Sequence, residues 1–486
     1  MLDALTRLFE TAFGAPPTET APLAGDGSRR SMIRLQGASG QSVVGVHGPD
    51  PLENRAFVAY AGQLARAGLP VPTVHAHDDE AGVYLVDDLG DVTLFDALRA
   101  ARAETGNGFP ASMLATYREV LRQLARLQVE GGRAVDYAVA YPRRAYDAQA
   151  MQWDCNYFKY DFLKLAGVPF HEGRLEEDFQ TLIGWLGEAS GGHFMHRDMQ
   201  SRNVMLVDGE PWFLDFQGGL EGPLQYDVAK LLFEGKAAMP SETRAELLDA
   251  YLDTLGEHVA IDRDRFLAHF RGFVVLRILQ GLGAYGLLGL HQRKPQFIAR
   301  IPPALRDVEA LLGDGFLPVE VPELQAVFER MVAREDLRRE PPAPQEGLTV
   351  RIASFSYKRG LPTDEGGHGG GFVFDCRALP NPGRLAEYRA HTGLEEGVRT
   401  WLEAHDAIDP FFERALALVQ GQIDVYRERG FDSLQVLFGC TGGQHRSVYM
   451  AERLGAALRS TYPDVACPIT HAETIHWPTG AQAWTR

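Results

Sequence analysis

Three polar side chains between residues 196 and 215 have the types and spacing that phosphoryl transfer requires. Asp198 and Asn203 stand in the pattern H-R-D-x-x-x-x-N, and Asp215 follows the asparagine by twelve residues. This chemistry depends mainly on positioning and charge neutralisation: one carboxylate holds the attacking hydroxyl, while an amide and a second carboxylate hold Mg²⁺ on the phosphates. We therefore predict that Asp198 is the catalytic residue and that Asn203 and Asp215 are metal ligands.

The residues between Asn203 and Asp215 predict a β-hairpin. Two apolar runs, 204–207 and 212–214, flank Asp208-Gly209, a dipeptide that favours a two-residue hairpin turn. Such a hairpin returns Asp215 to the neighbourhood of Asn203. The alternative is a surface loop whose charges fall there by chance, and the common register of the asparagine, the hairpin and the second aspartate disfavours it.

This segment resembles the catalytic loop of the aminoglycoside phosphotransferase group, which shares the protein-kinase fold and phosphorylates small molecules. Residues 226–232 are similar to that group's D-(L/V)-A segment, whose aspartate, here Asp227, braces the catalytic loop. Within the group, the chain resembles the anomeric kinases of N-acetylmuramate and N-acetylglucosamine. The resemblance implies an α+β, protein-kinase-like bilobal domain over residues 1–337 (N-lobe about 1–90, C-lobe about 91–337). It also implies ATP and Mg²⁺ as cofactors and an amino sugar as substrate.

Composition narrows the function classes. A chain of 486 residues is too long for one core and predicts two or three domains. A net charge of −17 disfavours general nucleic-acid binding, which depends on Lys and Arg, although a local basic patch stays open. Four cysteines without paired spacing indicate reduced thiols. Because no apolar run reaches membrane-spanning length and no signal-peptide pattern is seen, we expect a cytoplasmic protein without membrane association.

A nucleotide site is predicted near the N-terminus. After a predicted helix over 1–13 and a Pro-rich spacer, the turn at 25–29 precedes strands at 31–35 and 42–46. Backbone N–H groups in such a turn can contact phosphates, so the assigned residues are Gly25, Gly27, Ser28 and Arg29.

The lysine that protein kinases carry on their third strand is missing. The segment 43–47 places His47 near that position, and the cation that grips the phosphates is left open between Arg29 and Arg30. Glu53, near the start of a helix predicted over 51–67, is either a brace behind this sheet or a surface residue.

The stretch 83–90 predicts a strand that ends in a turn. In the resembled fold this is the hinge between lobes, where backbone groups hold adenine, and Asp87 is assigned to the nucleotide site on that ground. Thr93 is predicted to cap a helix that begins at Leu94.

Residues 146–165 carry aromatic side chains too densely for a single helical stripe, with Asp, Asn and Lys among them. Core packing is one interpretation, and a sugar-binding wall is the other. In the related kinases this region lies beside the catalytic loop, so Trp153, Asp154 and Asn156 are the substrate candidates. Helices that complete this lobe are predicted over 112–127, 240–259, 263–288, 298–313 and 322–335.

A charged, Pro-rich stretch at 338–347 predicts a linker to a second, small α/β module over 348–486. There an apolar strand ending at Cys440 runs into a glycine-rich turn that opens a helix, and N–H groups at a helix N-terminus form an anion site. The guanidinium of Arg446 adds two parallel N–H donors, which suit a phosphate. Cys440 and Arg446 also match C-x5-R, the loop in which a phosphatase thiolate attacks phosphorus. Three interpretations of this turn stay open: a phosphoester-binding pocket, a phosphatase site or a structural turn without a ligand.

The segments 374–382 and 439–449 resemble the C-terminal domain of the RapZ-type RNase adapters, which senses glucosamine-6-phosphate and can bind small RNA. The resemblance implies a sugar-phosphate pocket lined by Asp375, Asn381, Cys440, Thr441, Gly442, His445 and Arg446. Gln444 stands where the adapters often have a lysine. Two functions follow as alternatives: a kinase with a phosphosugar-binding module, or a regulatory nucleotide and sugar-phosphate sensor with little catalysis, for which RNA binding is left open.

Overall fold

The computed structural model describes residues 1–23, 30–106, 108–189, 191–292, 294–313, 315–339, 347–362 and 370–478. Contacts between residues divide the chain into two units, Met1–Leu287 with Arg300–Arg339, and Leu288–Ala299 with Glu340–Arg486. The domain limits at 337 and 348 stay predictions, and residues 340–346 of the predicted linker lie outside the described part of the chain.

The first unit begins with a helix that packs on a five-stranded antiparallel sheet of order β1-β2-β3-β5-β4. Side chains alternate between the two faces of each strand. One face, which includes Leu35, Val43 and Leu85, packs against Leu5 and Phe9 of the helix. The elements are α1 (Leu2–Phe13), β1 (Glu19–Leu23), β2 (Ser31–Gln36), β3 (Ser42–His47), α2 (Pro51–Arg66), β4 (Val74–Asp78) and β5 (Val83–Asp87).

A helical lobe follows the sheet within the same unit. Thr93 caps its first helix with a capping box to Asp96, as predicted. The predicted α+β class with a sheet lobe and a helical lobe is confirmed. In chain order the helices are α3 (Leu94–Thr105), α4 (Leu114–Ala134), α5 (Ala148–Tyr157), α6 (Lys164–Ala166), α7 (Glu172–Leu186), α8 (Leu224–Leu232), α9 (Ser241–His258), α10 (Arg263–Tyr285), α11 (Pro295–Ile298, in the second unit), α12 (Ile301–Gly313), α13 (Pro322–Val332) and α14 (Glu335–Arg338).

Two short antiparallel ladders hold the loop that carries the candidate catalytic residues. One pairs β6 (His193–Met195) with β9 (Leu220–Gly222), and the other pairs β7 (Val204–Val207) with β8 (Glu210–Phe213). The second ladder is the predicted hairpin. Its turn residues Asp208 and Gly209 both have positive φ, 51° and 87°, as a type I′ turn requires.

One helix departs from the expectation that no apolar run reaches membrane-spanning length. The helix Arg263–His291, which is α10 with a π-helical continuation, is long and apolar enough to cross a bilayer by length and composition. However, 56% of its most apolar window is buried inside the protein, which is also the pattern of a core helix.

The second unit contains a parallel four-stranded sheet of order β11-β12-β10-β13, which fits the predicted α/β module. Its strands, buried by helices, form a core that includes Val436, Phe438 and Leu454. The elements are β10 (Thr349–Ser356), β11 (Gly371–Asp375), α15 (Glu396–Glu403), α16 (Ile408–Arg429), β12 (Ser433–Cys440), α17 (Arg446–Thr461) and β13 (Ile469–His471).

Candidate active site

The fully buried carboxylate of Asp227 holds the loop between β6 and β7 through hydrogen bonds. Asp227 on α8 accepts hydrogen bonds from the backbone N–H groups of His196 (2.7 Å) and Arg197 (2.9 Å). Arg197 has φ 69°, a left-handed conformation that a non-glycine residue adopts only when its surroundings impose it. Asp227 therefore braces the loop, as the resemblance implied.

The carboxylate of Asp198 projects from this loop with three partners. Its Oδ2 accepts hydrogen bonds from the side-chain amides of Gln200 and Asn203, each 3.0 Å away, and its Oδ1 pairs with the ammonium of Lys230. The side chain is still 41% exposed, so a substrate hydroxyl can reach it. Asp198 is thus held in one orientation and remains accessible to solvent.

The charge of Asp198 is set by two opposing effects. Burial alone would raise the pKa of its carboxyl, but the attraction and hydrogen bond of Lys230, with smaller contributions from His196 and Arg277, lower that pKa to about 2. Burial lowers the pKa of Lys230 in turn, and the negative charge of Asp198 opposes that change. Asp198 is therefore ionised at neutral pH and poised to accept a hydrogen bond from a hydroxyl.

Asn203 and Asp215 are brought together by the hairpin. The carbonyl of Asn203 accepts the N–H of Leu214 (2.8 Å), which places Asp215 beside it, and the imidazole Nε2–H of His196 donates to the carbonyl of Leu214 (2.8 Å). Because the amide nitrogen of Asn203 is bound to Asp198, its oxygen is left for another ligand.

The side chains of Asn203 and Asp215 suit Mg²⁺ better than they suit a metal ion that is coordinated by protein groups alone. An amide oxygen and one carboxylate are hard ligands, and Mg²⁺ is usually held by one or two carboxylates together with substrate phosphates. In the described part of the chain, no group of three or more His, Cys, Asp or Glu side chains is arranged to hold a metal ion. The residues therefore suit an ion that arrives with a phosphorylated ligand.

The predicted nucleotide-binding residues are placed only in part. Gly25, Gly27, Ser28 and Arg29 lie outside the described residues. The Asp87 carboxylate accepts the N–H of Thr73 (2.7 Å) and pairs with His75 (2.7 Å), so it joins β4 to β5. Its role in nucleotide binding stays a prediction, and the side chain is already used to build the sheet.

The three substrate candidates do not share one surface. Residues 153, 154 and 156 lie on α5, where neighbouring positions point in different directions. Trp153 is exposed beneath the guanidinium of Arg143, and Asn156 bonds Gln152. Asp154 is buried, bonds the hydroxyl of Tyr146 (2.6 Å) and interacts electrostatically with the cations around Asp198. Of the three, Asp154 is the one associated with the catalytic loop.

Two residues next to the catalytic loop were not predicted from the sequence. Lys230 donates to the carbonyl of Arg197 (2.8 Å) in addition to its pairing with Asp198. Glu234 accepts the N–H (2.9 Å) and the hydroxyl (3.0 Å) of Ser201. The sequence signal for Lys230 is its position three residues after Asp227 on α8, which puts both side chains on one helical face.

In the second unit, the turn after β12 surrounds the thiol of Cys440 with hydrogen-bond donors. Its Sγ accepts from the N–H of Gly443 (3.2 Å) and lies 3.1 Å from the hydroxyl of Ser447. Burial alone would raise the pKa of this thiol, but the bonds from Ser447, Gly442 and Gly443 lower it below the usual range. The loop therefore stabilises negative charge, while Thr441 and Gly442 beside it are exposed.

The remaining predicted phosphosugar residues lie around this turn. Arg446 is buried and donates to the carbonyls of Arg377 (2.8 Å) and Leu379 (3.0 Å), while its Nε has no hydrogen-bond partner among the described residues. His445 bonds the carbonyl of Tyr388 (2.9 Å), and burial lowers its pKa.

Two further candidates come from the segment after β11. Asp375 ends β11 opposite Gly439 and is paired with the Arg377 guanidinium, and Asn381 caps the short turn that approaches His445 through Gly383. The turn, Asp375 and Asn381 thus gather at the carboxyl ends of neighbouring parallel strands, where α/β sheets bind ligands. Gln444 instead bonds the carbonyls of Arg389 (3.1 Å) and His391 (2.6 Å), so its side chain holds the adjoining loop.

Two family models match the chain in succession. The model of the phosphotransferase enzyme family matches residues 19–268, and that of the RapZ C-terminal domain matches residues 348–474. The chain belongs to the phosphotransferase enzyme family. Both resemblances stated from the sequence are confirmed by these matches.

Individual relatives divide between the two halves of this phosphotransferase-family chain. An N-acetylmuramate/N-acetylglucosamine kinase of Pseudomonas aeruginosa is 30% identical over 319 residues, 64% of this chain and 89% of that protein. A nucleotide-binding protein of Saccharophagus degradans is 37% identical over 143 residues, 29% of this chain and 45% of that protein. Another, of Halorhodospira halophila, is 42% identical over 115 residues, 24% of this chain and 38% of its own length. The chain thus spans less than half of these nucleotide-binding proteins.

Proposed function

We propose that this protein is an ATP- and Mg²⁺-dependent kinase that phosphorylates a hydroxyl of an amino sugar, at the anomeric position. The observation that carries the proposal is the arrangement of Asp198, ionised and half-exposed, beside Asn203 and the hairpin that returns Asp215. The similarity to the N-acetylmuramate/N-acetylglucosamine kinase over 64% of the chain supports the choice of acceptor.

Each residue has a role that follows from its surroundings. Asp198 accepts a hydrogen bond from the acceptor hydroxyl and orients its oxygen towards the γ-phosphorus of ATP. It takes the hydroxyl proton as the new O–P bond forms and the bond from the γ-phosphorus to the bridging oxygen breaks, so that ADP leaves. The amide oxygen of Asn203 and the carboxylate of Asp215 would hold Mg²⁺, which would neutralise negative charge on the phosphates. Gln200 and Lys230 keep Asp198 from rotating away.

The second unit, in this proposal, binds a sugar phosphate as product, effector or next substrate. The N–H groups of the turn at 440–446 and the donors of Arg446 are suited to a phosphate. The buried Nε of Arg446, for which the described residues offer no hydrogen-bond partner, is a donor that such a ligand can use. Asp375, Asn381 and His445 would contact the sugar.

The kinase proposal is tested by ADP release from a panel of amino sugars, including N-acetylmuramate and N-acetylglucosamine. We expect turnover with at least one sugar and a loss of about 1,000-fold in Asp198→Asn, which keeps the shape but not the proton acceptor. Asp249→Asn, on an exposed aspartate of α9, is the matched control and keeps full activity. Absence of turnover with every sugar in the panel contradicts the proposal.

The phosphosugar module is tested separately by thermal shift with glucosamine-6-phosphate, because a ligand that binds only the folded state raises the melting temperature. Arg446→Met should abolish the shift. A shift in a protein that turns over no sugar favours the sensor alternative. Release of inorganic phosphate that is lost in Cys440→Ser identifies the phosphatase alternative instead.

A further inference from the structure

The third strand of the N-terminal sheet lacks the cation that a kinase needs. Strand β3 contains no lysine or arginine along its described length. Its last residue, His47, pairs with Ser31 and Val83 and shares a face with Val43 and Gly45. That face packs on α1, since a Cβ on Gly45 would meet the side chain of Leu5 at 2.8 Å. His47 therefore points away from the face that packs on α2.

Arg30, one residue before β2, lies on the other face of the sheet, which packs on α2. In a strand, residues 30, 32 and 34 share one face and residues 31, 33 and 35 the other, and Ile33 and Leu35 belong to the α1 face. Arg30 is consequently on the face of Tyr84, whose ring stacks on Phe57 of α2 at 4.9 Å. Its side chain is only 9% exposed, and a charged residue that is so deeply buried normally has a structural or ligand partner.

Two carboxylates from separate elements meet this guanidinium. Nη2 of Arg30 is 3.3 Å from Oε2 of Glu53 on α2, and Nη1 is 3.6 Å from Oδ1 of Asp215. Both carboxylates are nearly half exposed, at 44% and 41% of their side chains. Arg30 therefore connects α2 to the candidate metal ligand Asp215.

Aromatic packing fixes the distance between the two carboxylates. Phe57, one turn after Glu53, stacks on Phe216 at 4.8 Å with an interplanar angle of 7°, and Phe216 directly follows Asp215. The hydroxyl of Tyr60 on the same helix bonds the carbonyl of Gly219 (3.0 Å). Because these contacts join α2 to the segment after Asp215, they hold Glu53 and Asp215 on either side of Arg30.

We propose that Arg30 is the residue that binds the nucleotide phosphates, in place of the lysine missing from β3; the proposal rests on the kinase function stated above. Glu53 orients the guanidinium, as the helix glutamate orients the lysine of protein kinases. The 3.6 Å separation from Asp215 is longer than a hydrogen bond, so Asp215 can turn to a divalent ion while Arg30 turns to phosphate oxygens. A guanidinium, permanently charged and with a planar fork of donors, suits that ligand.

The test compares a ligand with phosphates to one without. Binding of AMP-PNP with Mg²⁺ and of adenosine is measured by calorimetry for the wild type, Arg30→Ala, Arg30→Lys and Arg99→Ala, the last an exposed arginine of α3 as matched control. We expect Arg30→Ala to weaken AMP-PNP binding by about 30-fold, the loss of charged hydrogen bonds, and to leave adenosine binding unchanged. Arg30→Lys restores part of the affinity, and Arg99→Ala behaves as the wild type.

Kinetics separate this proposal from the kinase proposal. In the ADP-release assay, Arg30→Ala raises KM for ATP and lowers kcat by about 100-fold, with KM for the sugar unchanged, and Glu53→Gln gives a smaller loss of the same kind. If the wild type phosphorylates no sugar, the acceptor is wrong, while the AMP-PNP titration still decides on Arg30. Equal AMP-PNP affinity in wild type and Arg30→Ala overturns the proposal, as does an equal loss of adenosine binding, which indicates a structural role.

Discussion

Replacement of Lys230, which lies on α8 next to the catalytic loop, by methionine is an informative single change. Lys230 is buried on α8 and contacts both the carboxylate of Asp198 and the carbonyl of Arg197. Methionine fills a similar volume without charge. We expect this variant to lose activity strongly while its free energy of unfolding changes little, which would separate a functional cation from a structural one.

The expected magnitudes follow from burial. Burying the ammonium costs free energy, seen in the lowered pKa of Lys230, and methionine removes this cost. The charge left behind on Asp198 is 41% exposed and can be solvated by water, so the free energy of unfolding should stay within about 1 kcal/mol of the wild type. Activity depends instead on the orientation of Asp198, and a fall in kcat of about 100-fold corresponds to about 2.7 kcal/mol of lost transition-state stabilisation.

The same substitution moves the pH dependence in a defined direction. Burial raises the pKa of Asp198, but Lys230 together with the neighbouring charges lowers it to about 2, so removal of Lys230 raises that pKa. Since the proposed reaction needs ionised Asp198, we expect activity in Lys230→Met to fall at a higher pH than in the wild type as the solution is acidified. ADP-release rates between pH 4 and 8 and urea denaturation at pH 7 measure both effects, with Lys164→Met, an exposed lysine, as control. Unchanged activity, or a loss of 3 kcal/mol or more of stability (about the cost of breaking a buried pair), refutes the reasoning.

Two other changes test the supports of the two sites. Asp227→Asn replaces a carboxylate that accepts two backbone N–H groups by an amide with one acceptor, so urea denaturation should show a loss of about 1–3 kcal/mol; stability equal to the wild type would mean that the loop is held elsewhere. Among the four cysteines, Cys440 alone has a lowered thiol pKa, so iodoacetamide at pH 7 should label it first by mass spectrometry, more slowly in Ser447→Ala. Earlier labelling of Cys376 would contradict this.

The fold could be predicted from the sequence where local patterns decide it. The periodic apolar residues of α9 and α13 and the Asp208-Gly209 turn gave bounds within a few residues of those observed. The Pro-rich stretch before residue 24 was interpreted as a spacer, but Glu19–Leu23 forms strand β1. This strand lies at the edge of the sheet, where Pro22 costs little because one side of the strand needs no partner. Edge position depends on the assembled sheet and has no local signature.

The candidate site could likewise be predicted where its residues are close in sequence, but not where packing brings distant residues together. Asp198, Asn203 and Asp215 lie within one short segment, so their spacing and the hairpin were sufficient to predict their proximity. Lys230 reaches Asp198 from a helix 32 positions away in sequence, a contact that depends on how α8 packs. Trp153 and Asp154 are neighbours on α5 and point about 100° apart, and their role as substrate contacts stays a prediction.

The backbone of the catalytic segment explains how these contacts combine. Among the described residues, five non-glycine residues have positive φ, and three of them, Arg197, Asp208 and Asp215, lie in this segment. Each costs roughly 1–2 kcal/mol and persists only where other interactions determine it. Asp227 determines the first, the hairpin turn the second, and packing of Phe216 on α2 the third. Because these supports are internal to the protein, Asp198 and Asp215 are positioned before any ligand binds, and binding energy is left for the transition state.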